Sequence, residues 1–333
     1  KPASRPRSAN SAAPARAATR SSAVRRNRII SRLFSKRNLS VLALLAALGL
    51  ASFWALSAPQ PLTAAELPAH TGDVANGERL YNASGCHSCH LPGPDAVGVD
   101  AALPAGGAPL KTPVGTFYPP NLTPDPETGL GQWTDLEFVN AVQRGIGKSG
   151  GHLIPAFPYT SYAHMTREDV LDIRAYLASL PAVKNPAKPQ DVAFQPIVRR
   201  GIGLWKRMGL DTAVTAPDPA QSETWNRGRY IVNGAGHCNE CHTPRTVIMT
   251  SDFSRYLAGG PHPEGEGKVP SLRGLIERGR YKDANDIKLA LQNGELLGYD
   301  KLSSGGMGKV QSNMAKLPDA DVAAIAEYIA SLK

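Results

Sequence analysis

The residues of this chain best suited to chemistry are its four cysteines and the histidines that follow two of them. The cysteines lie in CHSCH, residues 86–90, and CNECH, residues 238–242. Both strings have the form C-x-x-C-H, the attachment pattern of c-type haem, in which two thiols bond the porphyrin and the histidine ligates the iron. The pattern predicts thioether bonds and iron ligation by these side chains: Cys86, Cys89, Cys238 and Cys241 to porphyrin, His90 and His242 to iron.

Paired cysteines have other uses, namely a zinc site, a thioredoxin-like redox pair or local disulfides. A zinc site built from both pairs would have to join segments that are 152 residues apart. None of these alternatives requires a histidine directly after the second cysteine of each pair. We therefore favour two covalently bound haem c groups, one for each motif.

An internal repeat relates the two motifs. A shift of 152 residues superposes CHSCH on CNECH, and it also superposes 165–180 on 317–332 with seven of sixteen residues identical. Each repeat thus runs from a helix that carries the motif to a closing helix with apolar residues at helical spacing. The sequence predicts an all-α fold with two tandem domains, residues 70–182 and 223–333.

The second axial ligand of each iron decides what the haem can do. Methionine favours reduced iron and raises the potential, a second histidine lowers it, and an open position admits a small molecule. For the second repeat we predict Met307, in the glycine-rich string LSSGGMGKV. Met314 is the alternative, but it directly precedes the closing helix and suits core packing.

The first repeat offers no metal ligand at the position that matches Met307. The matching segment is IPAFPY, in which the nearest large side chain is Phe157. We predict Met165, the only methionine of this repeat, as the axial ligand, although a core role at the start of the closing helix is the simpler interpretation. The alternatives are His164, His152 and an open position.

The positive charge of the chain is concentrated in a basic tail, residues 1–38. These residues hold eleven of the 37 Lys and Arg and no acidic residue. The whole chain has a net charge of +9, but the part after the tail, with 26 basic and 28 acidic residues, has a net charge of −2. The tail precedes an uncharged run, residues 39–58, which as a helix would be about 30 Å long and match a bilayer. We interpret residues 39–58 as a transmembrane anchor, with an apolar signal-peptide core as the alternative. The tail would then stay in the cytoplasm, and no nucleic-acid partner is expected.

The segment between the repeats, residues 183–222, is rich in proline and is predicted to be a linker. It includes GLWKRMG, part of a short amphipathic helix that carries Trp205 and Met208. We expect this helix to pack across the two domains, and contact with a membrane surface is the alternative.

The sequence around the two motifs resembles that of known proteins. CHSCH and CNECH, each preceded by a glycine-containing segment, resemble class I cytochrome c domains. The loop strings PPNLTPDPETGLGQWTD and RGRYIVNGAGHCNECHTPR resemble the membrane-associated multihaem cytochrome c subunits of periplasmic alcohol, aldehyde and related dehydrogenases. The resemblance covers residues 70–333, and two motifs place the chain with the dihaem members. Several relatives have methionine where this chain has Phe157.

The resemblance implies an electron carrier at the periplasmic face of the bacterial inner membrane, and not an enzyme with catalytic residues of its own. It would accept electrons from a periplasmic dehydrogenase partner and deliver them to quinone, another cytochrome or a terminal oxidase. Two six-coordinate haems need no substrate pocket for this role. The alternative function is a dihaem peroxidase-like enzyme in which one haem has an open axial position.

Overall fold

The apolar run near the start of the chain forms one continuous helix in the computed structural model, which describes residues 36–112, 115–192, 196–263, 267–294 and 305–333. This helix, α1, spans Lys36–Leu56, and its most apolar stretch has a mean hydropathy of 2.2. Its length and composition are sufficient to cross a membrane, a test that a signal sequence also passes. It ends at Leu56, two residues earlier than predicted, because Pro59 disfavours helical backbone just before it. The described residues from Ser57 to Lys333 form a compact unit of their own.

The first repeat contains five helices whose starts are encoded locally. At three of the five helix N-termini a polar side chain accepts backbone N–H groups: Asp73 before α2, Thr134 before α4 and Thr166 before α6. The five helices are α2 (Val74–Ala83), α3 (Cys86–Cys89), α4 (Asp135–Arg144), α5 (Tyr159–Tyr162) and α6 (Arg167–Ser179).

The second repeat has the same order of helices after a connecting helix, α7 (Pro196–Gly209). Its helices are α8 (Glu223–Asn233), α9 (Cys238–His242), α10 (Ala284–Asn293), α11 (Gly305–Met314) and α12 (Asp319–Ala330). Both α4 and α10 end at a glycine in the left-handed region, Gly145 at φ 56° and Gly294 at φ 74°. These matching C-caps give a structural reference point for comparing the repeats.

Each repeat is closed by one helix pair, α2 with α6 and α8 with α12. Both pairs cross at a glycine that allows the backbones to approach. A Cβ atom at Gly77 would lie 2.0 Å from the carbonyl oxygen of Asp172, and one at Gly228 would lie 1.9 Å from that of Ala324. The crossing therefore requires glycine in both repeats.

Short strands accompany the helices, so within the described residues the fold is mostly helical rather than purely all-α. Three antiparallel strands, β1 (Leu110–Thr112), β2 (Gly115–Phe117) and β3 (Asp191–Val192), pair in that order. A second pair joins β4 (Gly260–Pro261) to β5 (Lys268–Val269). Because β3 belongs to the predicted linker, the start of the linker lies back against the first repeat.

The connecting helix α7 contacts both repeats, as expected from the sequence. The indole N–H of Trp205 donates to the carbonyl of Ile248 in the second repeat over 2.8 Å. The ammonium of Lys206 donates to the carbonyls of Arg144 and Gly145, at 2.6 and 2.7 Å, where α4 ends. A lysine at the last carbonyls of a helix also complements the helix dipole.

The two repeats share a single buried core. Met165 and Val170 of the first repeat lie in the same cluster as Ile231, Val232 and Ile325 of the second. Residues Ser57–Lys333 accordingly form one compact unit. The domain boundaries predicted from the sequence, 70–182 and 223–333, stay a prediction.

Candidate haem-attachment sites

Each C-x-x-C-H motif forms a short helix that starts from left-handed backbone. Gly85 at φ 61° precedes α3, and His237 at φ 38° precedes α9. The repeat therefore places a histidine where the first motif has glycine. A non-glycine residue in this region carries strain, which the surrounding contacts must hold in place.

None of the four cysteines forms a disulfide, and each motif has one half-buried and one exposed cysteine. Burial raises the pKa of Cys86 and that of Cys238 to about 12. A redox-active pair requires a lowered thiol pKa, so these sites do not fit the thioredoxin-like alternative. Within the residues that the structure describes, no three His, Cys, Asp or Glu side chains converge to hold a metal ion, and the zinc alternative gains no support.

The motif histidines are held by the same interaction in both repeats. His90 Nδ1 lies 2.7 Å from the carbonyl oxygen of Pro120, and His242 Nδ1 lies 2.8 Å from that of Pro270. When Nδ1–H donates to the carbonyl, Nε2 keeps its lone pair and is the nitrogen that can ligate iron.

Burial keeps both imidazoles in the form that binds metal. It lowers the pKa of His90 to about 4 and lowers the pKa of His242 in the same direction, while the hydrogen bond to each proline carbonyl opposes it. Neutral imidazole is the ligating form. The two prolines were not identified from the sequence, because a backbone carbonyl carries no residue-specific signal.

Two oriented histidines, each beside a pair of cysteines that form no disulfide, fit the covalent attachment of haem at two sites. The Cytochrome c family profile matches residues 74–181 and 226–333, and the chain belongs to this family. It carries two covalently bound haem c groups.

Similar proteins include both a small dihaem protein and subunits of larger complexes. The chain is 40% identical over 289 residues to "Diheme cytochrome c-type" of Cereibacter sphaeroides, covering 86% of this chain and 95% of that protein. It is 32% identical over 278 residues to the fructose dehydrogenase cytochrome subunit of Gluconobacter japonicus, covering 82% and 55%. It is 34% identical over 305 residues to the gluconate 2-dehydrogenase cytochrome c subunit of Pantoea cypripedii, covering 88% and 65%. The chain thus spans only part of the length of the dehydrogenase subunits.

The two candidate axial methionines of the second repeat differ in burial. Met307 lies on α11, is half-buried and packs at the edge of the shared core. Met314, at the end of the same helix, is only 3% exposed. Met314 is therefore buried as a core residue is. Met307 as the axial ligand stays a prediction.

The three candidate ligands of the first repeat lie among different elements. Met165 is 0% exposed, and its Cγ is 2.9 Å from the point that a Cβ on Gly234 would occupy. His152 Nε2 lies 2.9 Å from the carbonyl oxygen of Ser57. His164 Nδ1 lies 2.7 Å from the carbonyl oxygen of Ala213 in the linker. Met165 as a ligand stays a prediction. Its side chain packs against Gly234 at the end of α8, as a core residue does.

An aromatic group that the sequence did not reveal lies beside the first motif. The hydroxyl of Tyr162 donates to the carbonyl of Ser84 over 3.0 Å, two residues before Cys86. The ring of Phe157 packs edge-on against Tyr162 at 5.6 Å between centroids, and that of His237 does so from the other repeat at 5.9 Å. Phe157 is therefore linked to the first attachment helix through Tyr162.

The variable positions inside each motif contact the opposite repeat. The amide of Asn313 donates to Ser88 Oγ, inside CHSCH, over 2.9 Å. Ser161 donates from the first repeat to Asn239 and Glu240, inside CNECH, over 2.9 and 2.8 Å. A third hydrogen bond joins Thr160 to Glu240. Each attachment helix is thus bound to the opposite repeat by polar contacts.

Proposed function

We propose that this protein is an electron carrier that takes electrons from a dehydrogenase, moves them between its two haems and passes them to a further acceptor. The two haem c groups support the proposal, because a haem protein that only carries electrons needs no substrate site. The names of relatives, cytochrome subunits of fructose dehydrogenase and gluconate 2-dehydrogenase, support a dehydrogenase as the electron source. Quinone, another cytochrome or a terminal oxidase would be the acceptor.

The observation that carries the proposal is the closeness of the two attachment motifs. His237 Nε2 lies 3.3 Å from the carbonyl oxygen of Ser84. His237 directly precedes Cys238, and Ser84 lies two residues before Cys86, so the covalent attachment points of the two haems are neighbours in one compact unit. Neighbouring haems on a rigid support are the arrangement that an electron relay requires.

The ligand set proposed for the second haem also suits a carrier. His242 and Met307 would fill both axial positions, which leaves no site for chemistry on a bound molecule and changes little on reduction. Replacement of Met307 by alanine should convert this haem from low-spin to high-spin, as seen in the electron paramagnetic resonance spectrum of the oxidised protein. An unchanged spectrum would remove Met307 from the ligand set.

We further propose that α1 anchors the chain in the bacterial inner membrane, with the haem-bearing unit on the periplasmic side. The length and apolar composition of α1 and the basic residues before it support this orientation. In fractionated cells the protein should stay with the membranes after a carbonate wash. Recovery of the full-length chain in the periplasmic fraction would contradict the anchor.

A strain that lacks this chain tests the function. Isolated membranes would be supplied with sugars, sugar acids and alcohols in turn, and reduction of c-type haem would be followed by absorbance. Wild-type protein should restore haem reduction by at least one substrate, and a Cys238→Ser, Cys241→Ser variant should restore less because it lacks the second haem. If no substrate gives a difference between the strains, the dehydrogenase-linked role is wrong.

A further inference from the structure

We infer that the haem of the first repeat has no side chain as its sixth ligand, so that its iron is open to a small uncharged ligand of the carbon monoxide or nitric oxide type. This inference rests on the two haem c groups and not on the proposed dehydrogenase partner. Its test can therefore fail or succeed independently of the proposed function.

The first step is the position of Phe157. Counted from the matching glycine caps of α4 and α10, Phe157 is the twelfth residue after Gly145 and Met307 is the thirteenth after Gly294. Both side chains are half-buried at the margin of the shared core. Phe157 thus lies within one residue of the position that matches Met307, and a phenyl ring has no lone pair to give to iron.

The second step concerns Met165. A ligand must face the haem it binds, yet the Met165 side chain is covered on all sides by protein. Its Cγ packs against Gly234 at the end of α8, and any side chain at Gly234 would collide with it. Close packing of this kind leaves no face of the thioether for a metal. Met165 is therefore a core residue of the junction between the repeats.

The third step concerns His152, which uses both ring nitrogens. Nε2 contacts the carbonyl oxygen of Ser57 at 2.9 Å, and Nδ1 lies 3.3 Å from the buried ammonium of Lys206. The residue is 4% exposed. Turning it towards a metal would break its buried hydrogen bond to the Ser57 carbonyl, a loss of about 1–3 kcal/mol.

The fourth step concerns His164, which faces the linker. Its Nδ1 contacts the carbonyl of Ala213, and its own carbonyl accepts the N–H of Thr215 over 2.9 Å. The ring lines a small cavity with Trp205 and Asp211 of the linker and with residues of the second repeat. These contacts place His164 against the linker and the second repeat.

The remaining side chains that could bind iron either lie outside the first repeat or have hydrogen-bond partners. Met208 lies 64% exposed on α7, whose Trp205 holds it to the second repeat. The others have partners in the structure: His70 with Asp172, His87 with Ala101, Tyr162 with Ser84 and His237 with Ser84. Among the described residues of the first repeat, this accounts for every methionine and every histidine other than His90.

The surroundings of Phe157 indicate which ligands would bind. Phe157 packs edge-on against Tyr159 and Tyr162, with ring centroids 6.4 and 5.6 Å apart. The Tyr162 hydroxyl already donates to the backbone, so it is not available to stabilise a charged ligand. An aromatic environment without a spare donor favours a small uncharged molecule over an anion.

The test is a carbon monoxide titration of the full-length protein with both haems, reduced under argon. We expect one equivalent of carbon monoxide to bind per protein, and none to bind to Phe157→Met, in which the introduced thioether closes the open position. Met165→Ala should bind the same amount as wild type, whereas Met307→Ala should bind twice as much. In the oxidised state the wild type should show high-spin and low-spin signals in equal amounts, and Phe157→Met only the low-spin signal.

Three outcomes would overturn the inference. The first is a wild-type protein that binds no carbon monoxide at either iron. The second is a gain of carbon monoxide binding in Met165→Ala, which would assign the thioether to the first haem. The third is a Phe157→Met variant that binds as much as wild type while far-ultraviolet circular dichroism shows that it is folded.

Discussion

Replacing Gly228 by alanine perturbs the contact that holds the second attachment helix in its repeat. Gly228 lies in α8, which leads into the CNECH motif and packs against the closing helix α12. An added Cβ would lie 1.9 Å from the carbonyl oxygen of Ala324 and 2.9 Å from Cβ of Tyr328, whereas ordinary contact begins near 3.4 Å. The helices would have to move apart by about 1.5 Å, the difference between 3.4 and 1.9 Å.

The expected cost follows from two opposing contributions. Overpacking of a core costs about 1–3 kcal/mol, and the upper part of this range applies because the obstacle is backbone rather than a flexible side chain. Alanine has a higher helix propensity than glycine by up to about 1 kcal/mol, which offsets part of the cost. We therefore expect Gly228→Ala to lower the free energy of unfolding by about 2 kcal/mol.

Gly201→Ala is the matched control, because Gly201 lies inside α7 with no atom within 4 Å of an added Cβ. It should leave stability unchanged or raise it by up to about 1 kcal/mol. The measurement is guanidinium unfolding of the haem-loaded protein, followed by circular dichroism and by haem absorbance. The reasoning is refuted if the two variants unfold within about 0.5 kcal/mol of each other, the usual effect of a surface substitution.

Two further predictions concern polar pairs. Glu240→Gln removes the carboxylate that Arg245 contacts at 2.6 Å, in a pair whose side chains are only 14% and 20% exposed. It should lower the free energy of unfolding by about 2 kcal/mol, and by much less in an Arg245→Met background. A double-mutant cycle of unfolding free energies measures the difference. The hydrogen bond to Asp172 raises the pKa of His70 above its ordinary 6.5; its contribution is complete below that value and lost as pH rises through the raised pKa, so His70→Ala should destabilise more at pH about 6 than at pH about 9. Equal loss at both pH values would contradict the second prediction.

The haem-binding part of the fold could be predicted because its signal is local. C-x-x-C-H places two thiols and an imidazole within one helical turn, and the repeat of that string located both sites. The helix starts at Asp73, Thr134 and Thr166 are also local, since each side chain caps N–H groups within three residues. Chemistry that is fixed within one turn of chain is visible without a structure.

The distal side of the first haem could not be predicted, because it depends on contacts between distant segments. Met165 as the axial ligand stays a prediction, but the residue that packs against it, Gly234, belongs to the other repeat and could not be found from its position in the chain. His152 was an alternative ligand from the sequence, which does not show that Lys206 of the linker lies 3.3 Å from it. A repeat comparison alone treats each repeat as self-contained, whereas the core here is shared.

The variable residues of the two motifs explain why this core is shared. The pattern C-x-x-C-H leaves its inner positions unrestricted for haem binding, and each motif uses them to bind the other repeat: Ser88 accepts from Asn313, and Asn239 and Glu240 accept from Ser161. A change in the relative position of the repeats would have to break hydrogen bonds at both attachment helices at once. Such reciprocal contacts would hold the two attachment helices at a fixed spacing whatever the ligand of either haem. The proposed open first iron is therefore compatible with the proposed relay of electrons.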